Sequence, residues 1–248
     1  MIRLRKKLFT LAPIVAIAWF LMGEFPHIFL SVKWSEGRYS GFGSSANGDQ
    51  IRAVLEIAER RLARLPAPER GPIHIVTAPK WVYAMFNPAS RDAFAVTRGF
   101  GRTIWIRDAD FEMDYSFSGR SAHNRRSLSG VITHETVHVT LNQRLGVIAS
   151  LRIPTWLTEG YCDFIADETS YPFDAGIDAL LAKNSPPSTS LRYFQYYAAV
   201  RYLIDIEGTS FDYLLTNSDA YQYAELATRF ARLQRTSDIT PKFPAYER

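Results

Sequence analysis

The chain has 248 residues, of which 47% are hydrophobic and 22% are charged, and this balance is typical of a globular protein rather than a disordered one. Its net charge of +4 equals the charge of four basic residues near the start, Arg3, Arg5, Lys6 and Lys7, so the basic balance does not indicate nucleic-acid binding. The single cysteine, Cys162, excludes an internal disulfide and a cysteine-rich zinc site, and we predict a small buried helix residue there.

Residues 1–30 predict an N-terminal membrane helix. The basic cluster precedes an uncharged apolar run from Leu8 to Gly23, and this order predicts a cytoplasmic N-terminus with the folded domain on the periplasmic or extracellular side. A cleavable signal sequence is the alternative, because Ala16-Ile17-Ala18 offers a small-x-small cleavage site, and the protein is then secreted. A buried core helix is a third interpretation. The apolar run continues past Ala18, which favours the uncleaved anchor.

The next segment, residues 31–46, contains part of a Gly- and Ser-rich stretch and is predicted to be a flexible tether to a domain over residues 47–240. The domain opens with an amphipathic helix from Ile51 to Leu65, which Asn47 or Asp49 can cap. Strands are predicted at residues 73–76, 93–97 and 103–106, and helices at residues 128–145, 155–168, 191–206 and 219–235. This order predicts an α+β domain, with a small mixed or antiparallel sheet followed by a helical region.

The segment VITHETVHV, residues 131–139, contains two histidines four residues apart. On a helix this spacing stacks His134 and His138 on one face, close enough for both imidazoles to bind one ion. Glu135 lies about 100° round the helix from His134, a position that suits a general base acting on a metal-bound water. A helix with two satisfied core histidines is the alternative interpretation.

A second candidate helix, IPTWLTEGYCDFIADE at residues 153–168, has Glu159 in the middle of an apolar pattern. A buried carboxylate needs a partner, and a zinc ion held by two histidines and one glutamate is a catalytic type of site that keeps a position for water. Asp163, one turn later, can accept a hydrogen bond from a zinc-bound imidazole, or it is an ordinary solvated or capping residue.

The strings HETVHV and PTWLTEGYCDFIAD together resemble the gluzincin peptidases, the zinc enzymes with an HExxH motif and a downstream glutamate. The resemblance implies a zincin-like fold, zinc held by His134, His138 and Glu159, and Glu135 as catalytic base. The run YFQYYAAVRYLIDIEG at residues 193–208 weakly resembles the helix that supplies an oxyanion-stabilising tyrosine or histidine in many gluzincins. Tyr193 matches best, with Tyr196 and Tyr197 as alternatives.

The sequence therefore predicts a zinc-dependent peptidase that acts on a peptide or protein substrate. By the same resemblance, the strand Thr103–Arg107 is expected to be the sheet edge along which the substrate lies. Arg98, Arg102 and Arg107 either select an acidic group or are solvated. Two other functions stay open: a non-catalytic membrane-tethered zinc-binding module, and a zinc hydrolase with a non-peptide substrate. Glu135 argues against the module, because a purely structural site has no need of it.

Overall fold

The structure is a computed structural model that describes residues 2–43, 46–67, 71–117, 125–182 and 188–236. The chain divides into two compact units. The first contains Met1–Arg152 and Ile165–Asp167, and the second contains Ile153–Phe164 and Glu168–Arg248. The predicted end of the domain at residue 240 lies outside the described residues.

The first unit combines a small sheet with helices, which confirms the predicted α+β class. Its elements are, in chain order, α1 (Ile2–Glu24), α2 (Pro26–Phe29), β1 (Trp34–Glu36), β2 (Tyr39–Phe42), α3 (Gly48–Leu62), β3 (Ile73–Ala78), α4 (Lys80–Phe86), β4 (Ala95–Arg98), β5 (Thr103–Arg107), β6 (Ala109–Asp110), β7 (Tyr115–Phe117), β8 (Arg125–Ser127), α5 (Leu128–Leu145) and α6 (Val147–Ser150). The predicted helix after residue 47 begins with a capping box, in which the Asn47 side chain accepts from the Asp49 N–H and the Gln50 side chain accepts from the Asn47 N–H.

The main sheet has five strands in the order β1-β2-β3-β5-β4. The three inner strands β2, β3 and β5 are parallel, and β1 and β4 are antiparallel edge strands. The strand Thr103–Arg107 is therefore paired on both sides, and the prediction that it forms the sheet edge is wrong. The edge beside it is β4. A second, antiparallel sheet contains β6, β7 and β8, which were not predicted from the sequence.

Side chains alternate across the main sheet and build two apolar layers. Ile75 and Ile104 belong to the layer that contains residues of α3 and α5, whereas Val76 and Trp105 belong to the layer that contains residues of α4. The register pairs Thr97 of β4 with Ile104 of β5, so Thr97 lies on the face of the sheet that α5 covers. This placement matters for the candidate site.

The last turns of α1 are part of the first unit. Trp19 stacks on Phe86 with ring centroids 6.0 Å apart, and the indole N–H of Trp105 donates to the Gly23 carbonyl at 2.9 Å. The buried Glu24 carboxylate accepts backbone N–H groups that follow β4. Among the described residues, no helix combines the length and the apolar character that a membrane crossing requires.

Residues 34–42 differ from the predicted tether, because they form the hairpin of β1 and β2. The prediction followed the Gly and Ser content of the segment, but Tyr39 and Phe42 are buried in the two apolar layers. Burial of these two aromatic side chains on opposite faces of β2 offsets the conformational entropy that the neighbouring Gly and Ser residues lose. Parallel pairing of β2 with β3 adds backbone hydrogen bonds that hold the segment in the sheet.

The second unit is helical. Its elements are α7 (Thr155–Ala166, of which Ile165 and Ala166 group with the first unit), α8 (Phe173–Leu181), α9 (Thr189–Arg201), a π-helical turn (Tyr202–Ile206), α10 (Phe211–Asn217) and α11 (Tyr223–Thr236). The predicted helices at residues 155–168, 191–206 and 219–235 correspond to α7, to α9 with its π turn, and to α11. Within this unit, α11 packs against α8 and α9.

Candidate metal centre

The helix α5 carries the two histidines and has well-defined ends. The Ser127 hydroxyl accepts a hydrogen bond from the Gly130 N–H at 2.9 Å and caps the N-terminus. Asp114 adds a second cap, because its carboxylate accepts from the Ser129 N–H and hydroxyl, both at 2.7 Å. At the other end Gly146 adopts a φ of 84°, which favours glycine. The predicted helix at residues 128–145 is confirmed.

His134 and His138 face each other on this helix. Their Nε2 atoms are 3.2 Å apart, and their ring centroids are 5.0 Å apart at an interplanar angle of 62°. His134 is buried and His138 is half-buried. Two nitrogens that each bind zinc at about 2.05 Å in a tetrahedral arrangement are separated by about 3.3 Å. The pair therefore has the separation of two zinc ligands, and the same separation also suits a hydrogen bond between two neutral imidazoles.

Glu135 is also buried, and a threonine of the sheet holds its carboxylate. The Thr97 hydroxyl lies 2.7 Å from Glu135 Oε2 and 2.9 Å from the Glu135 carbonyl oxygen. Glu135 therefore follows His134 directly on α5, with one carboxylate oxygen held by the sheet.

A buried tyrosine lies within the electrostatic reach of Glu135. Burial raises the pKa of the Tyr83 hydroxyl, and the Glu135 carboxylate raises it further, against the opposing effect of Arg107 and Arg98. Within the described part of the chain, this hydroxyl has no hydrogen-bond partner. Neither Tyr83 nor Thr97 was predicted from the sequence as a site residue.

The three arginines near β4 and β5 make hydrogen bonds within the first unit, and whether they select a substrate group stays a prediction. Arg107 is fully buried and donates to the Phe117 and Arg91 carbonyls. Arg98 donates to the Phe86 carbonyl, and Arg102 donates to Gln143 Oε1 at 3.1 Å. Each arginine thus joins two parts of the first unit.

The second unit contains Glu159, Asp163 and Cys162, all on α7. Glu159 is half-buried, while Asp163 and Cys162 are buried. Burial of Cys162 in a helix confirms the prediction for that residue. The next residue after Glu159 is a glycine for a steric reason: a Cβ atom on Gly160 would lie 2.5 Å from the Tyr196 carbonyl oxygen. This close crossing brings the backbone of α7 against α9.

The three candidate tyrosines lie on α9 and differ in burial and contacts. Burial raises the pKa of the Tyr196 hydroxyl, and the hydroxyl of Tyr223 and the charge of Glu159 also raise it. Tyr193 is half-buried, with its ring centroid 5.8 Å from that of Tyr196. Tyr197 is buried, and its hydroxyl accepts a hydrogen bond from Arg201. The charge of Glu159 is therefore one of the influences on the Tyr196 hydroxyl.

No protein-family model matches the chain, and no curated protein matches it.

Three of the predicted site residues, His134, Glu135 and His138, lie together on α5 in the first unit, and the others lie on α7 and α9 in the second. The alternation of Thr97 with Val96 predicts that the two side chains lie on opposite faces of β4. The sequence alone does not show which of these faces α5 covers, because that depends on the pairing of β4 with β5.

Proposed function

We propose that the chain is a zinc-dependent peptidase of the gluzincin type with a zincin-like fold. The observation that carries the proposal is the histidine pair on α5, with 3.2 Å between its Nε2 atoms, on the same helix as the anchored carboxylate of Glu135. A structural pair of core histidines needs no adjacent buried carboxylate, whereas hydrolysis needs a base at this position.

The donor set fits zinc. Two imidazoles at this separation need little movement to bind a zinc ion, and Glu159 is the proposed third ligand on the strength of the sequence motif. Zinc bound by these residues would polarise a substrate carbonyl and lower the pKa of water toward about 7. Asp163 is the proposed hydrogen-bond acceptor for one of the two imidazoles.

The protein's own groups would then move the protons. Glu135 takes a proton from the attacking water and delivers it to the leaving amine of the cleaved peptide. A tyrosine hydroxyl of α9 donates a hydrogen bond to the oxyanion that forms on the substrate. Tyr193 is the candidate that the sequence resemblance favours for this role, with Tyr196 and Tyr197 as alternatives, and the charge of Glu159 influences the pKa of the Tyr196 hydroxyl.

The test uses the purified full-length chain. Elemental analysis is expected to find about one zinc per chain in the wild type and a large loss in His134→Ala and His138→Ala. A peptide library is expected to be cleaved by the wild type. The control Glu135→Gln keeps the zinc and loses cleavage by about 10²- to 10⁴-fold, the usual contribution of a general base.

Each outcome of this test selects one function. A wild type without zinc overturns the metal site and leaves the hydrogen-bonded histidine pair. Zinc without hydrolysis of any substrate indicates a non-catalytic module. Zinc with hydrolysis of esters or other non-peptide substrates, but not of peptides, indicates a hydrolase of another class.

The third ligand needs its own comparison, because α7 offers two donors within one turn. Glu159→Gln is expected to lower zinc content and activity together. The comparison variant Cys162→Ser removes the thiol that lies three residues after Glu159, and this variant is expected to keep the zinc. Loss of zinc in Cys162→Ser, with zinc retained in Glu159→Gln, would make the Cys162 thiol the third ligand. Membrane attachment and a location outside the cytoplasm stay predictions from the sequence.

A further inference from the structure

The edge strand β4 places one hydroxyl against the proposed base. Alternation along β4 directs Thr97 to the face that α5 covers, whereas the next residue, Arg98, faces the other way and donates to the Phe86 carbonyl. The Thr97 hydroxyl has one proton and lies within bonding distance of two Glu135 oxygens, at 2.7 Å and 2.9 Å. The carboxylate oxygen is the shorter and the charged acceptor, so it receives the proton.

We propose that Thr97 is a positioning residue that holds the Glu135 carboxylate in its working orientation, which rests on the proposed function. The hydroxyl fixes Oε2, and within the part of the chain that the structure describes it is the one hydrogen-bond donor to that carboxylate. Oε1 is thereby left to contact water. A glutamate has three side-chain torsions, and without this hydrogen bond its carboxylate samples other rotamers.

Strand pairing and a buried carboxylate hold the segment that carries Thr97. β4 pairs with β5 over four residues, including Thr97 with Ile104. The turn that follows β4 is fixed by the Glu24 carboxylate, which accepts from the Phe100 N–H at 3.0 Å and the Gly101 N–H at 3.3 Å. A hydroxyl on such a strand can hold a catalytic side chain to the tolerance that a working site requires.

The kinetic test compares two substitutions at one position in the full-length chain. Thr97→Val keeps the branched shape and loses the hydroxyl, and we expect kcat to fall about 10- to 100-fold at unchanged KM and unchanged zinc content. Thr97→Ser keeps the hydroxyl, and we expect kcat within about threefold of the wild type. The matched control is Thr77→Val in β3, whose hydroxyl donates to the Phe42 carbonyl and lies outside the proposed site; its kcat should not change.

An equilibrium test separates this proposal from the peptidase proposal. The midpoint of thermal unfolding is measured for Thr97→Val, Glu135→Met and the double variant in the zinc-free protein. If the hydroxyl holds the carboxylate, the two losses in midpoint are not additive, and the double variant loses clearly less than their sum.

If the wild type is inactive and the losses in thermal midpoint are non-additive, the peptidase proposal is overturned and the hydrogen bond from Thr97 to Glu135 is supported. Additive losses in thermal midpoint for Thr97→Val and Glu135→Met overturn the positioning role of Thr97, whether or not the wild type is active. So does an unchanged kcat in Thr97→Val, or a Thr97→Ser variant as slow as Thr97→Val.

Discussion

The contact of α1 with the sheet should contribute measurably to stability, and Glu24 is the residue that tests it. Its side chain is buried, and it accepts the Phe100 N–H at 3.0 Å and the Gly101 N–H at 3.3 Å, with Arg98 Nη1 at 4.0 Å. Glu24→Ala removes both bonds and keeps a good helix former at the end of α1.

The expected cost follows from those contacts. A hydrogen bond to a charged group contributes about 1.5–3 kcal/mol, and the Gly101 N–H stays buried without its acceptor, whereas the N–H of the exposed Phe100 can bond to water. We therefore expect Glu24→Ala to lower the free energy of unfolding by about 3 kcal/mol. Glu24→Gln keeps an acceptor oxygen without the charge, and it should lose about 1 kcal/mol.

Urea unfolding followed by tryptophan fluorescence measures the change, because Trp19 and Trp105 lie at this contact. The matched control is Glu36→Ala, which breaks the exposed ion pair with Arg52 at 3.3 Å and should cost less than about 1 kcal/mol. Equal losses for Glu24→Ala and Glu36→Ala, at equal slopes of free energy against urea, would refute the inference that the end of α1 belongs to the core of the first unit.

Three further predictions concern single residues. Gly160→Ala would place a Cβ atom 2.5 Å from the Tyr196 carbonyl oxygen, and a thermal unfolding assay should register a loss of about 1–3 kcal/mol. Tyr83→Phe removes a buried hydroxyl that has no partner in the described chain, so stability should stay equal or rise; a loss above about 1 kcal/mol would reveal a bound water or ligand. Burial, with His27 and Arg102, lowers the pKa of His74 from 6.5 to about 4. Its neutral form therefore stabilises the fold above pH 6.5, and that stability is lost as the pH falls toward 4; His74→Leu should flatten this part of the pH–stability profile.

Much of the fold could be predicted from local patterns. The 3.6-residue apolar period of α3 and the capping Asn47 needed only their own segment, and so did the two histidines on α5. The hairpin of β1 and β2 was missed because its strands are short and glycine-containing. Only the contact of Tyr39 and Phe42 with the two apolar layers, distant in sequence, makes the segment a part of the sheet.

In the candidate site too, contacts within one element could be predicted from the sequence, whereas contacts between elements distant in sequence could not. Helix geometry alone sets the relation of His134 to His138, so their sequence spacing was enough to predict it. The relation of Thr97 to Glu135 spans 38 residues and depends on the register of β4 against β5, which no local pattern determines. A one-residue shift of β4 would place Val96 or Arg98 against the Glu135 carboxylate. The register of the edge strand is therefore as important to the proposed chemistry as the HExxH motif, and variants that shift β4 should lose kcat while they keep the histidine pair.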